Sequence, residues 1–402
     1  MRFVLITAGF LCVSLQTVVA AEPDRMAQVK GLVAEYAAAE MKFNETDWPK
    51  EPTPEESIHR YEVWPAWKYI PRFVKLAEAA PGDEAASLCC DWILDRTDGA
   101  GNQDKESFAP NEKAWQILAE HHLSRRDLPM LCLRASSGSG SAREHFLRAV
   151  IDRPGASRET RGIATLALAQ FFATKYEIIE FWEQAPRRTG FGKYVDARMA
   201  AGWKSDLVTA NSSKFKAESI RLFREVLANY ADVPLTISAP YFRDIKKLSD
   251  KATKSLHALE HLTVGSPAPT IMGQDLHGQP LDLNTYRGRV MVLTFWFTGC
   301  GPCMGMIPQE KQLVKKYRGR PFTLLSICTD ESRETAQKTA ADHKMDWPCW
   351  FDGQNGPIAR NWNVLAWPSI YLLDERGIIV AKNLRGEALD AKVAKLMDRK
   401  GP

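Results

Sequence analysis

The chain has 402 residues, of which 45% are hydrophobic and 25% are charged, and its net charge is +4 at pH 7. This length predicts two or three domains rather than a single core. Lysine and arginine residues are dispersed along the chain, so we expect no nucleic-acid-binding surface and no nucleic-acid partner.

A secretory signal peptide is predicted at the N-terminus, over residues 1–21. Arg2 provides a positive start, residues 3–15 form an apolar stretch shorter than a membrane span, and small residues suited to cleavage follow. An uncleaved anchor is the alternative interpretation. Cleavage would leave a periplasmic or otherwise exported protein without a membrane span. It would also remove Cys12 from eight cysteines and leave seven, an odd number that cannot pair completely within one chain.

The next region, residues 22–262, is predicted to be an α-helical domain with a repeat-like texture. Apolar side chains recur there at three- and four-residue intervals, as on the buried face of a helix. The segments with this pattern are residues 26–43, 58–80, 83–96, 161–184 and 216–232. The last segment, followed by Pro234, resembles the second helix of a tetratricopeptide repeat. No fixed period recurs along the region, which favours a helical array over a named repeat.

Residues 263–402 have a different texture and are predicted to form a separate α/β domain. Pro267 and Pro269 interrupt any helix at the boundary, and short strands around a turn at residues 275–278 follow. Further strands are predicted at residues 290–297, 322–328, 369–373 and 378–382, with helices at residues 302–317, 331–343 and 389–397. The predicted fold class is therefore multidomain, with an all-α helical array followed by an α/β domain.

Two cysteines in the α/β domain, Cys300 and Cys303, have the pattern of a redox site. They lie in a Cys-Gly-Pro-Cys sequence between a predicted buried strand and a helix. A helix N-terminus favours the thiolate form of Cys300, and Cys303 follows one turn later, where it can resolve a mixed disulfide. Gly301 and Pro302 suit the tight turn and the first helical residues. A zinc site and a purely structural disulfide are the alternatives, but zinc would need a second ligand pair that the spacing of the other cysteines and histidines does not supply. We therefore expect no metal and no cofactor.

Four segments of the α/β domain carry a family resemblance: VGSPAP, DLHGQPLDLNTYRGRVMVLTFW, CGPC and WPSIYLLDERG. On these segments, residues 263–402 resemble a TlpA-like thiol-disulfide oxidoreductase of the thioredoxin superfamily. The N-terminal region looks like the helical extension that some exported redoxins carry. The resemblance implies a thioredoxin-like fold for the C-terminal domain, with Cys300 and Cys303 as the catalytic pair.

The resemblance also implies a substrate-binding loop opposite the cysteines. Pro368 matches the cis-proline of the family and is expected to complete the catalytic site. Its peptide bond would expose the backbone of Trp367, which could pair with an extended partner peptide beside Gly301 and Pro302. An ordinary proline at the start of a strand is the alternative for Pro368.

Three positions depart from the family pattern, and two of them concern proton transfer. Gly299 replaces the tryptophan that usually precedes the first cysteine. Thr294 and Met306 stand at the two positions where family members carry an acid that assists the resolving cysteine. Glu310 lies two helical turns after Cys303 and could substitute for this acid through water, but a glutamate at such a position is more often solvated, and solvation is the expectation here. The group that replaces the acid stays open at this point.

The remaining cysteines are predicted to have no exchange role. Cys328 ends a predicted buried strand and is interpreted as a core thiol. Cys349, in the sequence DWPCWFD, could be a core thiol or a third reactive thiol, and the core interpretation is favoured. Cys89 and Cys90 are adjacent on a predicted helix and point about 100° apart, so they do not suit a bond with each other. Whether either of them pairs with Cys132 is left open by the sequence.

These patterns predict an exported enzyme that exchanges thiols and disulfides. The Gly-Pro dipeptide between the cysteines favours reduction of disulfides in other exported proteins, with an electron donor that the sequence does not identify. A helical binding scaffold with a weakly active or inactive redoxin module is the alternative from another class. A peroxiredoxin-like peroxidase is a third hypothesis. Its Pro-x-x-x-Thr/Ser-x-x-Cys motif is broken for both cysteines, because Phe297 and Cys300 occupy the threonine or serine position.

Overall fold

A computed structural model of the protein describes residues 24–50, 53–98, 105–138, 140–184, 212–235 and 245–398. The predicted signal peptide lies outside the described residues and stays a prediction. Within the described ranges, none of the helices combines the length and apolar character that crossing a bilayer requires.

In its described residues, the N-terminal region is an array of α-helices, which confirms the predicted all-α class. The helices are α1 Arg25–Asn44, α2 Pro54–Glu62, α3 Ala66–Ala79, α4 Glu84–Thr97, α5 Lys105–His121, α6 Leu128–Ala135, α7 Ser141–Asp152, α8 Arg158–Gln184, α9 Ser212–Asn229 and α10 Leu248–His261. The predicted helical segment 58–80 is divided at Pro65, because the ring of a proline disrupts the turn that precedes it. Side-chain caps define other helix starts: Asp83 accepts a hydrogen bond from the backbone of Ala86 at 2.7 Å.

Three cysteines of the N-terminal region lie in its hydrophobic core as free thiols. Cys89, Cys90 and Cys132 are each fully buried, and none is part of a disulfide. Burial raises the pKa of each thiol to about 12, because the charged form loses its hydration. The pairing that the sequence left open is therefore absent from this structure, and these thiols are protonated at neutral pH.

The C-terminal region is built around a mixed five-stranded sheet, and this confirms the predicted thioredoxin-like α/β class. The strands are β1 Met272–Gln274, β2 Pro280–Asp282, β3 Val290–Trp296, β4 Phe322–Cys328, β5 Cys349–Phe351, β6 Ser369–Leu373 and β7 Ile379–Lys382. The hairpin β1–β2 forms a separate two-stranded sheet, and the five-stranded sheet has the strand order β5-β4-β3-β6-β7. Strands β3, β4 and β5 are parallel, whereas β6 pairs antiparallel with β3 and β7.

Helices cover both faces of this sheet. They are a 3-10 turn at Leu283–Tyr286, α11 Gly301–Lys316, α12 Arg333–Asp342, α13 Pro357–Asn361 and α14 Gly386–Asp398. Three elements of this domain were absent from the sequence prediction: the 3-10 turn, β5 and α13, which are only four, three and five residues long. Elements this short lack the periodic pattern on which such a prediction depends.

The central strand β3 fixes where the candidate site lies. All seven of its residues are buried, and its carboxyl end leads through a short turn to Cys300. Thr294 in β3 is paired with Ile370 on one side and with Ser326 on the other, and Ser326 is paired with Cys349. Directly paired residues project from the same face of a sheet, so these four side chains form one row. Three of the four are polar or ionisable, which is unusual for the centre of a buried sheet.

The chain passes from the helical region into the sheet through a joining segment, residues 262–268. Its backbone pairs with β7 and the turn before it: Gly265 N donates to Ile379 O at 2.8 Å, and Ile379 N donates to Ser266 O at 2.9 Å. Leu262, directly after α10, is fully buried in the hydrophobic cluster of the C-terminal sheet, and Ala258 packs against the same cluster. The end of α10 therefore contributes to the C-terminal core.

A fragment comparison tests how far the two regions depend on each other. We expect residues 263–402 to fold alone, and a fragment that starts at residue 245 to be more stable. Full burial of the Leu262 side chain contributes about 2 kcal/mol to the longer fragment. Urea unfolding of both fragments measures the difference. Equal midpoints would mean that α10 adds nothing to the core, and absence of a cooperative transition in the shorter fragment would contradict independent folding.

Candidate active site at the end of the central strand

The turn between β3 and α11 is held by a buried carboxylate, that of Asp330. Its oxygens accept hydrogen bonds from the backbone nitrogen of Thr298 at 2.9 Å and from the Thr298 hydroxyl at 2.7 Å. The thiol of Cys328 donates to the same carboxylate at 3.2 Å. Asp330 is a positioning residue that the sequence analysis missed. Its signal was an acidic residue just past the end of a buried strand, next to the strand that carries the cysteines.

The structure brings Cys300 and Cys303 together as the sequence predicted. Cys300 is the N-cap residue of α11, and its sulfur accepts a hydrogen bond from the backbone nitrogen of Cys303 at 3.1 Å. The two cysteines form a disulfide, with their Cα atoms 5.2 Å apart. Once the disulfide is reduced, the same backbone N–H group and the positive end of the helix dipole stabilise a thiolate on Cys300.

A pair of aromatic rings lies over the cysteines. Phe297 and Trp367 pack edge to face, with their ring centroids 5.6 Å apart, and both contact the hydrophobic cluster that contains Cys300. Cys300 is only 4% exposed in this disulfide form. A Cβ atom at Gly299 would lie 3.0 Å from the Phe297 ring. Glycine at this position therefore leaves room for the Phe297 ring.

The loop before β6 faces the cysteines, as the resemblance implied. The peptide bond between Trp367 and Pro368 is cis. Pro368 is buried and lines a small cavity together with Cys303, while Trp367 is half-buried. Gly301 and Pro302 are exposed at the start of α11. These residues belong to the two segments that carry and face the disulfide, the start of α11 and the loop before β6.

Glu310 is buried, and the prediction that it is solvated is wrong. Glu310 is only 5% exposed, and its carboxyl group forms a hydrogen bond with the side chain of Thr294. Burial raises the pKa of the carboxyl to about 7, although the hydrogen bond from Thr294 acts in the opposite direction. The buried positions of α11 are Cys303, Ile307, Glu310 and Leu313, which follow the helical period of three to four residues. That period was visible in the sequence and places Glu310 on the face that packs against the sheet.

A cavity of about 10 Å³ connects the two chemically active groups. Cys303 and Glu310 both line it, together with Thr294, Met345 and Pro368. This volume is close to the smallest that holds one water molecule. The site therefore combines a cysteine pair at a helix N-terminus with a buried carboxyl on the resolving side of the pair.

The other two cysteines of this region lie in the core, as predicted. Cys328 and Cys349 are buried free thiols, and burial raises the pKa of both, that of Cys349 to about 11. They are therefore protonated at neutral pH. In the part of the chain that the structure describes, no group of three or more histidine, cysteine, aspartate or glutamate side chains is arranged to hold a metal ion.

Comparison with known proteins identifies the region that contains this site. The model of the AhpC/TSA family matches residues 264–382. The thiol-disulfide oxidoreductase ResA of Bacillus thuringiensis subsp. konkukian is 26% identical over 128 residues, which cover 32% of this chain and 73% of that protein. ResA of Geobacillus kaustophilus is 30% identical over 116 residues, which cover 29% of this chain and 66% of that protein. The C-terminal region is a redoxin domain of the thiol-disulfide oxidoreductases.

The family model and the ResA relatives confirm the resemblance predicted from the motifs, and solved structures match the same region. The thioredoxin domain of a thiol-disulfide oxidoreductase from Bacteroides vulgatus is 30% identical, covering 34% of this chain and 99% of that chain, with a TM-score of 0.32. The family model begins at residue 264, so helices α1 to α10 lie outside the part of the chain that it matches.

Proposed function

We propose that the protein is an exported thiol-disulfide oxidoreductase that reduces disulfides in other exported proteins through Cys300 and Cys303. The observation that carries the proposal is the hydrogen bond from the Cys303 backbone to the Cys300 sulfur at the start of α11. This position favours the thiolate that attacks a disulfide. Export is supported by the signal-peptide pattern of residues 1–21.

The reaction proceeds in two exchanges. The Cys300 thiolate attacks one sulfur of the partner's disulfide, so a mixed disulfide forms and the partner's other sulfur leaves as a thiolate. Cys303, as its thiolate, then attacks Cys300, the mixed disulfide breaks, and the second partner sulfur leaves with the electron pair. Each partner thiolate takes up a proton. The partner has gained two electrons, and the Cys300–Cys303 disulfide seen in this structure is the oxidised product.

The proposal also covers the partner protein, the electron donor and the helical region. The partner chain contacts the surface formed by Gly301, Pro302 and Trp367, with Pro368 beside the disulfide. A dithiol donor outside the cytoplasm restores the reduced pair. The helical region supplies a scaffold for recognition, and a scaffold with an inactive redoxin module is the competing function.

An insulin reduction assay with dithiothreitol as donor tests the activity. The full-length mature protein is expected to accelerate reduction, and Cys300→Ser to lose at least about a thousandfold of the enzyme-dependent rate, because the attacking sulfur is gone. Cys89→Ala removes a thiol far from the pair in sequence and serves as the matched control. A Cys300→Ser variant with the full rate would contradict the proposal. Peroxide consumption that requires Cys300, without insulin reduction, would instead support a peroxidase.

A further inference from the structure

We infer that Glu310 is the proton acceptor for Cys303 in the resolving exchange, acting through a water molecule in the cavity that both residues line. The inference rests on the proposed function, because it assigns a group to the second exchange of that reaction. Neither Thr294 nor Met306 can take up a proton at neutral pH, and these residues occupy the positions where the sequence led us to expect an acid. This chain carries its buried carboxyl on the helix instead.

The helix positions Glu310 on the correct side of the cysteine pair. Residues seven apart on an α-helix lie on nearly the same face, so Glu310 and Cys303 both face the sheet. Met345 and Pro368 also line this cavity of about 10 Å³, which is just large enough for one water molecule. Such a water molecule can relay a proton from the thiol to the carboxylate.

The sheet beneath Glu310 presents polar side chains to its carboxyl group. The side chain of Thr294 in β3 forms a hydrogen bond with Glu310. Ser326 in β4 is paired with Thr294 and lies in the same row of side chains. Ser326 also accepts a hydrogen bond from the indole nitrogen of Trp347 at 3.2 Å. Strands β3, β4 and β5 thus place Thr294, Ser326 and Cys349 in one row beneath Glu310, at positions where the core of a sheet usually carries aliphatic residues.

The groups that face Glu310 leave its charge uncompensated. Cys303 faces it from its own helix and Cys349 from β5, where the Glu310 charge raises the pKa of the Cys349 thiol. Strands β3 and β4 contribute the hydroxyl groups of Thr294 and Ser326. In the described part of the chain, no lysine or arginine contributes to the pKa shift of Glu310. Burial without a cation is what brings the carboxyl pKa to about 7, which suits a group that accepts and releases a proton at neutral pH.

A second carboxylate near the site, that of Asp330, does not meet these requirements. Its oxygens already accept hydrogen bonds from Thr298 and Cys328, and Asp330 does not line the cavity next to Cys303. It fixes the turn before Cys300, whereas Glu310 reaches the resolving side of the pair.

The inferred proton path completes the second exchange. The Glu310 carboxylate takes the Cys303 proton through the water molecule, and the Cys303 thiolate attacks the Cys300 sulfur. The Cys300–Cys303 bond forms as the mixed disulfide breaks, and the partner sulfur leaves with the electron pair. Glu310 then returns its proton to the departing thiolate or to solvent.

Ellman's reagent, an aromatic disulfide whose released thiolate is coloured, separates the two exchanges in a stopped-flow experiment on the reduced full-length mature protein. Attack by Cys300 releases the first coloured thiolate in a phase that depends on reagent concentration. Resolution by Cys303 releases the second in a phase that does not. We expect the second phase of the wild-type protein to slow as the pH falls through about 7, where Glu310 becomes protonated.

Glu310→Gln is expected to slow the second phase at pH 7 about tenfold or more and to leave the first phase within about twofold. The inflection near pH 7 disappears, and the rate rises instead toward the pKa of the Cys303 thiol. Glu310→Asp keeps a carboxyl group and is expected to retain the inflection. Glu331→Gln, an exposed carboxyl in the same domain, is the matched control and behaves like the wild type.

Two outcomes would overturn the inference. One is a folded Glu310→Gln variant with the wild-type second phase and its inflection. The other is an equal loss in both phases with an unchanged pH profile, which indicates a structural role only. If Glu310→Gln does not fold, the wild-type profile decides, because a second phase without an inflection near pH 7 excludes Glu310 as the acceptor. Absence of the first phase would contradict the proposed function itself.

Discussion

Replacing Cys303 with serine is expected to convert the protein into a covalent trap for its disulfide-bonded partners. The attacking thiol of Cys300 remains, but the group that resolves the mixed disulfide is lost, so the intermediate accumulates. The lifetime of the mixed disulfide should rise by at least about a hundredfold relative to the wild-type protein, because release then depends on external thiols. Non-reducing electrophoresis and mass mapping of extracts from cells that express the variant measure the trapped species.

Two variants control this experiment. Cys300→Ser lacks the attacking thiol and is expected to trap nothing, and the double variant Cys300→Ser/Cys303→Ser gives the background. Trapping by Cys300→Ser instead of Cys303→Ser would show that the roles of the two cysteines are reversed. Partners trapped by both single variants would indicate that the thiols react without order.

Thr294→Asp is expected to destabilise the protein by several kcal/mol at pH 8, because it places a second buried carboxyl within hydrogen-bonding reach of Glu310. An aspartate at 294 would stand where the family resemblance places an acid, but this chain already carries a buried acid on the facing helix. Two carboxyl groups in contact share one proton, so the second can ionise only at considerable cost.

The pH dependence of stability distinguishes this cost from a packing defect. The carboxyl of Glu310 has a pKa of about 7 in the folded protein and about 4.5 when unfolded, so the folded state holds its proton more tightly. The contribution of Glu310 to stability is therefore fully present below about pH 4.5 and is lost as the pH rises through about 7, which lowers the stability of the wild type by about 3 kcal/mol over that range. Thr294→Asp should steepen that decrease.

The double variant Thr294→Asp/Glu310→Gln moves the acid from the helix to the strand. It is expected to recover most of the stability that Thr294→Asp loses at pH 8, because only one carboxyl remains in the site. Urea midpoints of the wild type, both single variants and the double variant at pH 5 and pH 8 measure these differences. Equal stability of Thr294→Asp and the wild type at pH 8 would contradict contact between residues 294 and 310.

Much of the redoxin domain was predictable because its local signals are strong. Strands β4 and β6 match the predicted residues, and the predicted strand 290–297 ends one residue too late. These strands are apolar runs bounded by turns or by proline, which the sequence displays directly. The cysteine pair was equally visible, since its spacing and its position between a strand and a helix are local features.

The features that the sequence did not predict depend on contacts between distant residues. The burial of Glu310 is set by the sheet row that contains Thr294 and Ser326, and a row of this kind exists only after the strands pair. Asp330 likewise acts on Thr298, 32 positions earlier in the chain. The period of buried positions in α11 could have indicated Glu310, but a charged residue on an apolar face is usually interpreted as solvated.

The joining segment and the hairpin β1–β2 have a consequence for how other chains can bind this domain. An exposed edge strand invites another polypeptide to extend the sheet, which leads to strand exchange or aggregation. Here the backbone of Gly265 and Ser266 pairs with β7 at one edge, and Leu276 N donates to Cys349 O at 3.1 Å in β5 at the other. Within the described residues, the chain thus pairs with part of each edge strand of its own sheet. At Ile379 and Cys349 these backbone groups are already bonded, which blocks strand addition by another polypeptide at those positions.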